Sequence, residues 1–197
     1  VLSPDPIPTE KVDKNIHKLS FFTGTHPLPS EENEASTLEI LSFIKSLPAG
    51  ATLVSLISGG TSSLLCLPPD PISIADLQHT YDVLLRSGAS IHEMNTVRKH
   101  ISLVKGGQLA QFAHHLHLRS YLLSDVPLDT AHVIGSGPTL SDPSTYEQAL
   151  DILNAYNLKK QIPKSVREYL EQGALGRYSE TPKPELNDHP DQEVHLI

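Results

Sequence analysis

The sequence has one cysteine, Cys66, so it cannot form an internal disulfide. This fits a reducing, cytoplasmic setting. Cys66 lies in an apolar run with Leu64, Leu65 and Leu67, and we therefore expect its thiol to be buried and structural.

No apolar run approaches the roughly 20 residues that a membrane span requires. A positive charge excess is also absent, since 15 Lys and Arg oppose 23 Asp and Glu, giving a net charge of −8. This balance argues against a nucleic-acid surface.

Several motifs with known chemistry are missing. The sequence contains neither a Walker A motif nor a G-x-G-x-x-G fingerprint followed by an acid, which a dinucleotide-binding oxidoreductase would need. Its 11 histidines do not show metal-binding spacing, because there is no H-E-x-x-H and no paired-cysteine motif. We therefore do not expect a structural zinc site.

The sequence does contain strand patterns that alternate with helix patterns. Two short apolar runs, 53–57 and 118–123, are typical of parallel strands that are buried on both faces. Helical periodicity begins after Ser30, a good N-cap, and recurs at 73–87, 91–104, 106–115, 144–156 and 163–171. This order predicts an α/β fold with an open, mostly parallel, Rossmann-like sheet and helices on both faces.

The 197 residues are enough for one domain with a substantial core. The chain begins on Val1-Leu2 without a methionine and ends on an apolar strand pattern at 194–197. We expect it to be a piece of a longer chain.

A glycine-rich turn directly follows the first buried strand: Ser58-Gly59-Gly60-Thr61-Ser62-Ser63. Glycines allow the backbone to approach a ligand closely, and the amides, the hydroxyls and a following helix N-terminus favour phosphate or carboxylate. We predict that Ser58, Gly59, Gly60, Thr61 and Ser62 bind the substrate or its phosphate. The alternative is a tight turn that merely joins a strand to a helix.

The segment 91–107 carries a polar stripe at helical spacing opposite an apolar one. The polar stripe includes Asn95, Arg98 or Lys99, Ser102 and Lys105. An arginine can hold a phosphate through two parallel hydrogen bonds. We predict that Arg98 is catalytic and that Asn95 and Lys105 bind the substrate or phosphate, the alternative being a solvated basic face.

The segment 124–143 follows the second strand and is long for a connection without regular structure, which is typical of functional loops. Ligands of open α/β sheets bind at the carboxyl ends of the strands. Asp125 would lie at that edge, and we predict a catalytic role for it, either as a Mg²⁺ ligand or as a proton acceptor. Alternatively, Asp125 caps the turn through its own backbone.

These segments resemble the signature blocks of the glycerate 2-kinases that carry a MOFRL domain. The blocks are LISGGTSSLL (56–65), GASIHEMNTVRKHISLVKGGQLA (88–110) and SDVPLDTAHVIGSGPTLSDPSTY (124–146), and GTHPLPSEEN (24–33) resembles the block that precedes them. The match runs in order over roughly residues 20–185. Two positions depart from the family pattern, since Leu128 and Thr61 stand where the family more often has glycine.

The resemblance implies transfer of phosphate from ATP, with Mg²⁺, to the 2-hydroxyl of D-glycerate, giving 2-phosphoglycerate. It implies that residues 1–197 are most of a larger Rossmann-like domain, without its N-terminal segment and the C-terminal MOFRL domain. It also places Arg98 in an active site between the two domains. Two alternatives remain: a nicotinamide-dependent hydroxypyruvate reductase, as some family members were earlier described, and a non-catalytic anion-binding module.

Overall fold

A computed structural model describes residues 1–5, 19–123, 131–184 and 192–197 of the chain. Short strands alternate with helices along these residues. In chain order the elements are β1 (Leu2–Ser3), β2 (Phe22–Thr23), α1 (Glu31–Ser46), β3 (Thr52–Ile57), α2 (Thr61–Leu64), α3 (Ile74–Arg86), α4 (Ile91–His100), α5 (Gln108–Phe112), β4 (His117–Leu122), a 3₁₀ turn (Ile134–Ser136), α6 (Tyr146–Ala155), α7 (Lys164–Ala174) and β5 (Gln192–Leu196).

Strands β3, β4 and β5 form a parallel sheet in that spatial order. Ile57 at the end of β3 is level with Leu122 at the end of β4, and Leu122 is level with Leu196 of β5. Strands β1 and β2 pair in parallel as a separate two-stranded ladder. The parallel strands and the intervening helices confirm the predicted α/β class.

Local sequence signals set several helix boundaries. Helix α4 begins at a capping box, in which the Ser90 hydroxyl accepts from the Glu93 amide at 3.3 Å and the Ser90 amide donates to the Glu93 carboxylate at 2.8 Å. The predicted extension of this helix to residue 104 is wrong, because α4 ends at His100. Gly106 and Gly107 then adopt positive φ angles of 57° and 85°, which redirect the chain into α5.

The core consists of three clusters of buried apolar side chains. The largest joins α3, α4, α6 and α7 and includes the fully buried Cys66, as predicted. A second cluster packs α1 and α5 against Leu65 and Val104, with Leu53 of β3 at its margin. The third is small and holds Ile134 against the ends of β3 and β4, at Ile57 and Leu122. The ends of the two strands are therefore packed beneath the segment that follows β4.

Strand β3 is not buried on both faces in the described part of the chain. Val54 is 53% exposed and Leu56 is 73% exposed. Both lie at the edge strand of the sheet and line an open groove of about 810 Å³ between α1, β1, β2 and β3. The apolar run therefore predicted the strand correctly, although its second face is uncovered among these residues.

Within the described ranges, none of the helices combines the length and the apolar character that crossing a membrane would require.

Candidate functional site

The glycine turn, residues 58–62, connects β3 to α2 at the carboxyl end of the sheet. Gly60 has a φ of 83° and immediately precedes α2. The Thr61 hydroxyl donates to the Ser58 carbonyl at 2.8 Å, which closes the turn. Ser58 and Gly59 are exposed, whereas Gly60, Thr61 and Ser62 are half-buried. Helix α2 has four residues, so the helix dipole invoked from the sequence adds little here. Any anion binding rests on the amides and hydroxyls of the turn.

A chain of hydrogen bonds joins the glycine turn to α4. The Ser136 hydroxyl donates to the Asn95 side-chain oxygen at 2.9 Å and lies 2.7 Å from the Ser62 hydroxyl. Because the single proton of Ser136 goes to Asn95, Ser62 is the donor of the second bond. Ser136 and Asn95 are buried. Ser62, Asn95 and Ser136 come from three different sequence segments, and the structure brings these segments together.

The segment around Ser136 has an unusual backbone. Gly135, Ser136 and Gly137 have φ angles of 60°, 62° and 60°. A side chain at Gly135 would approach Ile57 and Thr61 within 3.2 Å, so this glycine lets the segment sit directly on the turn. Ser136 itself occupies a region of backbone space that non-glycine residues seldom adopt. Such strained conformations often occur at functional sites.

Arg98 lies one helical turn after Asn95 on α4 and is 7% exposed. Its guanidinium stacks over the Tyr81 ring, with 4.6 Å from Cζ to the ring centroid. The buried Nε atom has no hydrogen-bond partner, and no carboxylate of the described residues pairs with the group. Burial lowers the pKa of Arg98. The solvated basic face considered from the sequence is therefore excluded at this position, and an unpaired buried guanidinium fits an anionic ligand.

The next two residues of α4, by contrast, have partners. The Lys99 ammonium is 3.2 Å from the Asp142 carboxylate, with both side chains buried. His100 Nε2 lies 3.0 Å from the Glu180 carboxylate. Burial alone would raise the pKa of Asp142, but the charge of Lys99 and hydrogen bonds from Ser144 hold it below its ordinary value. Lys99 and His100 are therefore each paired with a carboxylate of the protein itself.

Lys105 is fully buried. Its ammonium donates to the Leu65 carbonyl at 2.6 Å, just beyond the end of α2. Burial lowers the pKa of Lys105 to about 7, against its ordinary value of 10.5. The predicted position of Lys105 on the stripe of α4 is wrong, because the helix has ended before it. Its ammonium contacts the backbone behind the glycine turn.

Asp125, the predicted catalytic acid and Mg²⁺ ligand, lies outside the described residues, as does Leu128. Strand β4 ends at Leu122 beside the end of β3, so the chain enters the segment of Asp125 at the edge where the glycine turn begins. Within the described ranges, no group of three or more His, Cys, Asp or Glu side chains could hold a metal ion.

The sequence interpretation missed two residues. Ser136 was noted as part of an ordered segment but was given no role, although its position between two glycines is a signal for an unusual backbone. Asn33 is fully buried, and its side chain links the segment 24–33 to the end of α2 through the Ser63 and Leu64 carbonyls. The sequence signal is the spacing of Ser30 and Asn33 at a helix start.

The fold and these contacts define a class: an α/β protein in which a glycine turn at the carboxyl edge of a parallel sheet is hydrogen-bonded to a helix whose buried Arg98 has no counter-ion among the described residues. A family model described as a domain of unknown function, DUF4147, matches residues 6–171. The chain belongs to this family.

The chain is homologous to glycerate 2-kinases. A glycerate 2-kinase from Pyrococcus horikoshii is 42% identical over 173 residues, which are 88% of this chain and 39% of that protein. A putative hydroxypyruvate reductase from Agrobacterium vitis is 40% identical, over 84% of this chain and 36% of that protein. The crystal structure of a glycerate kinase from Thermotoga maritima superimposes with a TM-score of 0.79 at 37% identity, over 93% of this chain and 41% of that one. The chain thus spans about two fifths of the length of these relatives.

Proposed function

We propose that the protein containing this chain phosphorylates D-glycerate at its 2-hydroxyl, using ATP and Mg²⁺, to give 2-phosphoglycerate. The observation that carries this proposal is Arg98, a buried guanidinium that has no counter-ion among the described residues. The names of the homologous kinases from Pyrococcus and Thermotoga support the same assignment. We further propose that residues 1–197 form most of a larger Rossmann-like domain, and that a MOFRL domain completes the cleft. A cytoplasmic location remains an expectation from the composition.

In the proposed reaction, the glycerate 2-hydroxyl oxygen attacks the γ-phosphorus of ATP. The bond from that phosphorus to the oxygen bridging to the β-phosphate breaks, and ADP leaves. In such transfers the protein mainly positions the groups and neutralises charge. Arg98 would hold two phosphoryl oxygens, and Asn95 would orient the ligand. The glycine turn, residues 58–62, would contact the substrate carboxylate or a phosphate through its amides and hydroxyls.

Asp125 is proposed to accept the hydroxyl proton or to hold Mg²⁺. Asp142 is unsuited to either task, because its oxygens are engaged by Lys99, Ser144 and Thr181. When bound, Mg²⁺ would neutralise charge on the phosphates of ATP.

The test is an assay of the full-length protein with D-glycerate, ATP and Mg²⁺. We expect ADP to form in proportion to 2-phosphoglycerate, which phosphorus NMR distinguishes from the 3-phosphate isomer. Oxidation of NADH by hydroxypyruvate without ATP turnover would instead establish the reductase. That second candidate is favoured by the name of the Agrobacterium relative, but these 197 residues lack a dinucleotide fingerprint. Binding of glycerate without turnover would indicate an anion-binding module.

A further inference from the structure

Four consecutive residues behind the glycine turn are each held by a buried side chain from elsewhere. The Asn33 amide nitrogen donates to the carbonyls of Ser63 and Leu64, at 3.1 and 3.4 Å. The amide of Cys66 donates to the Thr37 hydroxyl at 3.1 Å. The Lys105 ammonium donates to the Leu65 carbonyl at 2.6 Å. We call Asn33, Thr37 and Lys105 the anchor.

The side chains of the anchor are buried, and Asn33 and Thr37 are hydrogen-bonded to each other and to neighbouring backbone. Asn33, Thr37 and Lys105 are each fully buried. The Asn33 oxygen accepts from the amides of Thr25 and Ser30, at 2.8 and 3.1 Å. The Thr37 hydroxyl in turn donates to the Asn33 carbonyl at 2.8 Å. Every polar atom of the Asn33 side chain is therefore engaged, and a satisfied buried network of this kind fixes a single arrangement.

Apart from the bond of the Thr61 hydroxyl to Ser58, the hydrogen bonds nearest the two glycines are long, so the glycine turn gains from such support. The Thr61 amide reaches the Ser58 carbonyl at 3.4 Å, and the Ser63 and Leu64 amides reach the Gly60 carbonyl at 3.2 and 3.3 Å. Gly59 and Gly60 also give the turn more freedom in the unfolded state than other residues would. A turn of two glycines before a four-residue helix would not hold one geometry alone.

We infer that Asn33, Thr37 and Lys105 are positioning residues that fix the glycine turn in the geometry that receives the substrate anion. This inference rests on the proposed function only in taking the ligand to be an anion. The positioning acts through residues 63–66, and none of the three anchor residues needs to touch the substrate. It gives Lys105 a different task from the direct phosphate contact expected from the sequence.

The first test measures hydrogen exchange at the amides of Ser63, Leu64 and Leu65 in the full-length protein. Asn33→Asp is nearly isosteric and keeps the acceptor oxygen for Thr25 and Ser30, but it replaces the donor to the two carbonyls by oxygen. We expect exchange at these three amides to accelerate about tenfold or more, since buried carbonyls lose their partner. Thr37→Val should release the same segment at Cys66, whose amide loses its acceptor.

Thr25→Ala is the matched control. It removes the hydroxyl that lies 2.7 Å from the Leu28 carbonyl and 3.0 Å from the same Asn33 oxygen, and it leaves the donors to Ser63 and Leu64 intact. We expect little acceleration at the three amides. Equal acceleration in Thr25→Ala and Asn33→Asp, or none in Asn33→Asp, would overturn the inference. This readout does not depend on kinase activity, so it separates failure of the anchor from failure of the proposed function.

The second test uses the charge of Lys105 and sulfate as the probe anion, because sulfate does not titrate near neutrality. Cys66 and Arg98 are the other ionisable groups that influence Lys105, and Tyr81 interacts with both of them. Burial raises the pKa of Cys66 to about 11 and raises that of Tyr81 further from neutrality. The His26 ring faces Gly60, so the variant must be compared with wild type.

A charged Lys105 makes the stronger bond to the Leu65 carbonyl. We therefore expect sulfate to bind the wild-type protein several-fold more weakly at pH 8 than at pH 6. In Lys105→Met that dependence should shrink, while the exposed Lys160→Met control follows wild type. An unchanged pH profile in Lys105→Met would remove Lys105 from the anchor, whatever its effect on stability.

In the active enzyme, anchor variants should raise the KM for glycerate more than the KM for ATP or lower kcat. These changes should parallel the acceleration of hydrogen exchange. Normal hydrogen exchange at Ser63, Leu64 and Leu65 together with lost turnover would show that the anchor residues do not act by positioning the glycine turn.

Discussion

Arg98 and Lys99 are neighbours on α4, and both are buried, yet their surroundings are opposite. Lys99 faces Asp142 at 3.2 Å, whereas Arg98 has the Tyr81 ring and an Nε atom without a partner. A buried cation with a carboxylate is part of the structure. A buried cation without one carries a desolvation penalty that an anionic ligand can remove. The comparison therefore separates Lys99, which stabilises the fold, from Arg98, to which we assign a function.

The largest effect is expected for Asp142→Asn, which leaves the buried Lys99 ammonium without a counter-charge. Breaking one partner of a buried pair typically destabilises a protein by about 3–5 kcal/mol. We expect a loss of this order in the free energy of unfolding, measured by denaturant titration. The double variant with Lys99→Met should recover much of the loss. An equal loss in the double variant would show that the hydrogen bonds of Asp142, and not its charge, are what stabilise the fold.

Arg98→Lys should show the opposite pattern, with little change in stability and a large loss of activity. The substitution keeps the charge but removes the planar fork that can hold two phosphoryl oxygens. Removing a charge stabiliser of this kind costs on the order of 10²-fold in kcat. Because the interaction is made in the transition state, kcat and kcat/KM should fall together. Steady-state kinetics tests this prediction. A kcat within about threefold of wild type would show that Arg98, like Lys99, has a structural role and no catalytic one.

Acid should weaken the pairs that Lys99 and His100 of α4 make with Asp142 and Glu180. Burial disfavours the charged form of Glu180, but hydrogen bonds from His100 and the Tyr146 amide lower its pKa to about 2, from an ordinary 4.5. The pKa of Asp142 is also lowered, from an ordinary 3.8. Groups with lowered pKa values stabilise the fold above their unfolded pKa and lose that contribution as the pH falls toward the folded value.

We therefore expect the free energy of unfolding to decline as the pH falls from about 5 toward 2. The decline should be smaller in Glu180→Gln than in wild type. Chemical denaturation at several pH values measures both slopes, and parallel curves would exclude Glu180 as a source of the acid sensitivity.

Ser136→Ala tests the junction between the turn and α4 with a smaller expected effect. The change leaves the buried Asn95 oxygen and the Ser62 hydroxyl without their shared partner, which costs about 1–3 kcal/mol. We expect a decrease in kcat/KM of roughly tenfold with a modest loss of stability. Wild-type kinetics in Ser136→Ala would show that the three segments meet without functional coupling.

The smallest effect on the free energy of unfolding is expected for an exposed ion pair. Lys164 and Glu168 form an exposed pair at 3.3 Å, with side chains 75% and 52% exposed. Glu168→Gln should change the free energy of unfolding by less than about 0.5 kcal/mol. A loss approaching that of Asp142→Asn would mean that burial does not govern the worth of ion pairs in this protein.

The sequence was most informative where the structure depends on local interactions. The strand and helix order, the buried Cys66 and the helix start at Ser30 follow from periodicity and short-range hydrogen bonds, and the structure confirms them. The two uncovered side chains of β3, Val54 and Leu56, could not be foreseen, because an apolar run does not reveal which neighbours cover it.

The site was less predictable, since its properties arise from contacts between distant residues. Arg98 is buried against the ring of Tyr81, a residue of another helix, and has no carboxylate partner within the described ranges. Lys105 fits the helical spacing of the stripe, yet the helix ends before it and its ammonium lies behind the turn. The roles assigned to the glycine turn, Asn95, Arg98, Lys105 and Asp125 remain predictions.

One interface near the site is made of backbone alone. The amides of Gly106, Gly107 and Leu109 donate to the carbonyls of Ser136, Gly137 and Pro138, at 3.1, 2.9 and 3.1 Å. Three of the six residues are glycines with positive φ angles, Gly106, Gly107 and Gly137, so these positions favour glycine. The bonds also depend on register, because insertion or deletion of a single residue in either segment would misalign all three. This interface therefore constrains the length of both segments as well as the identity of the three glycines during divergence.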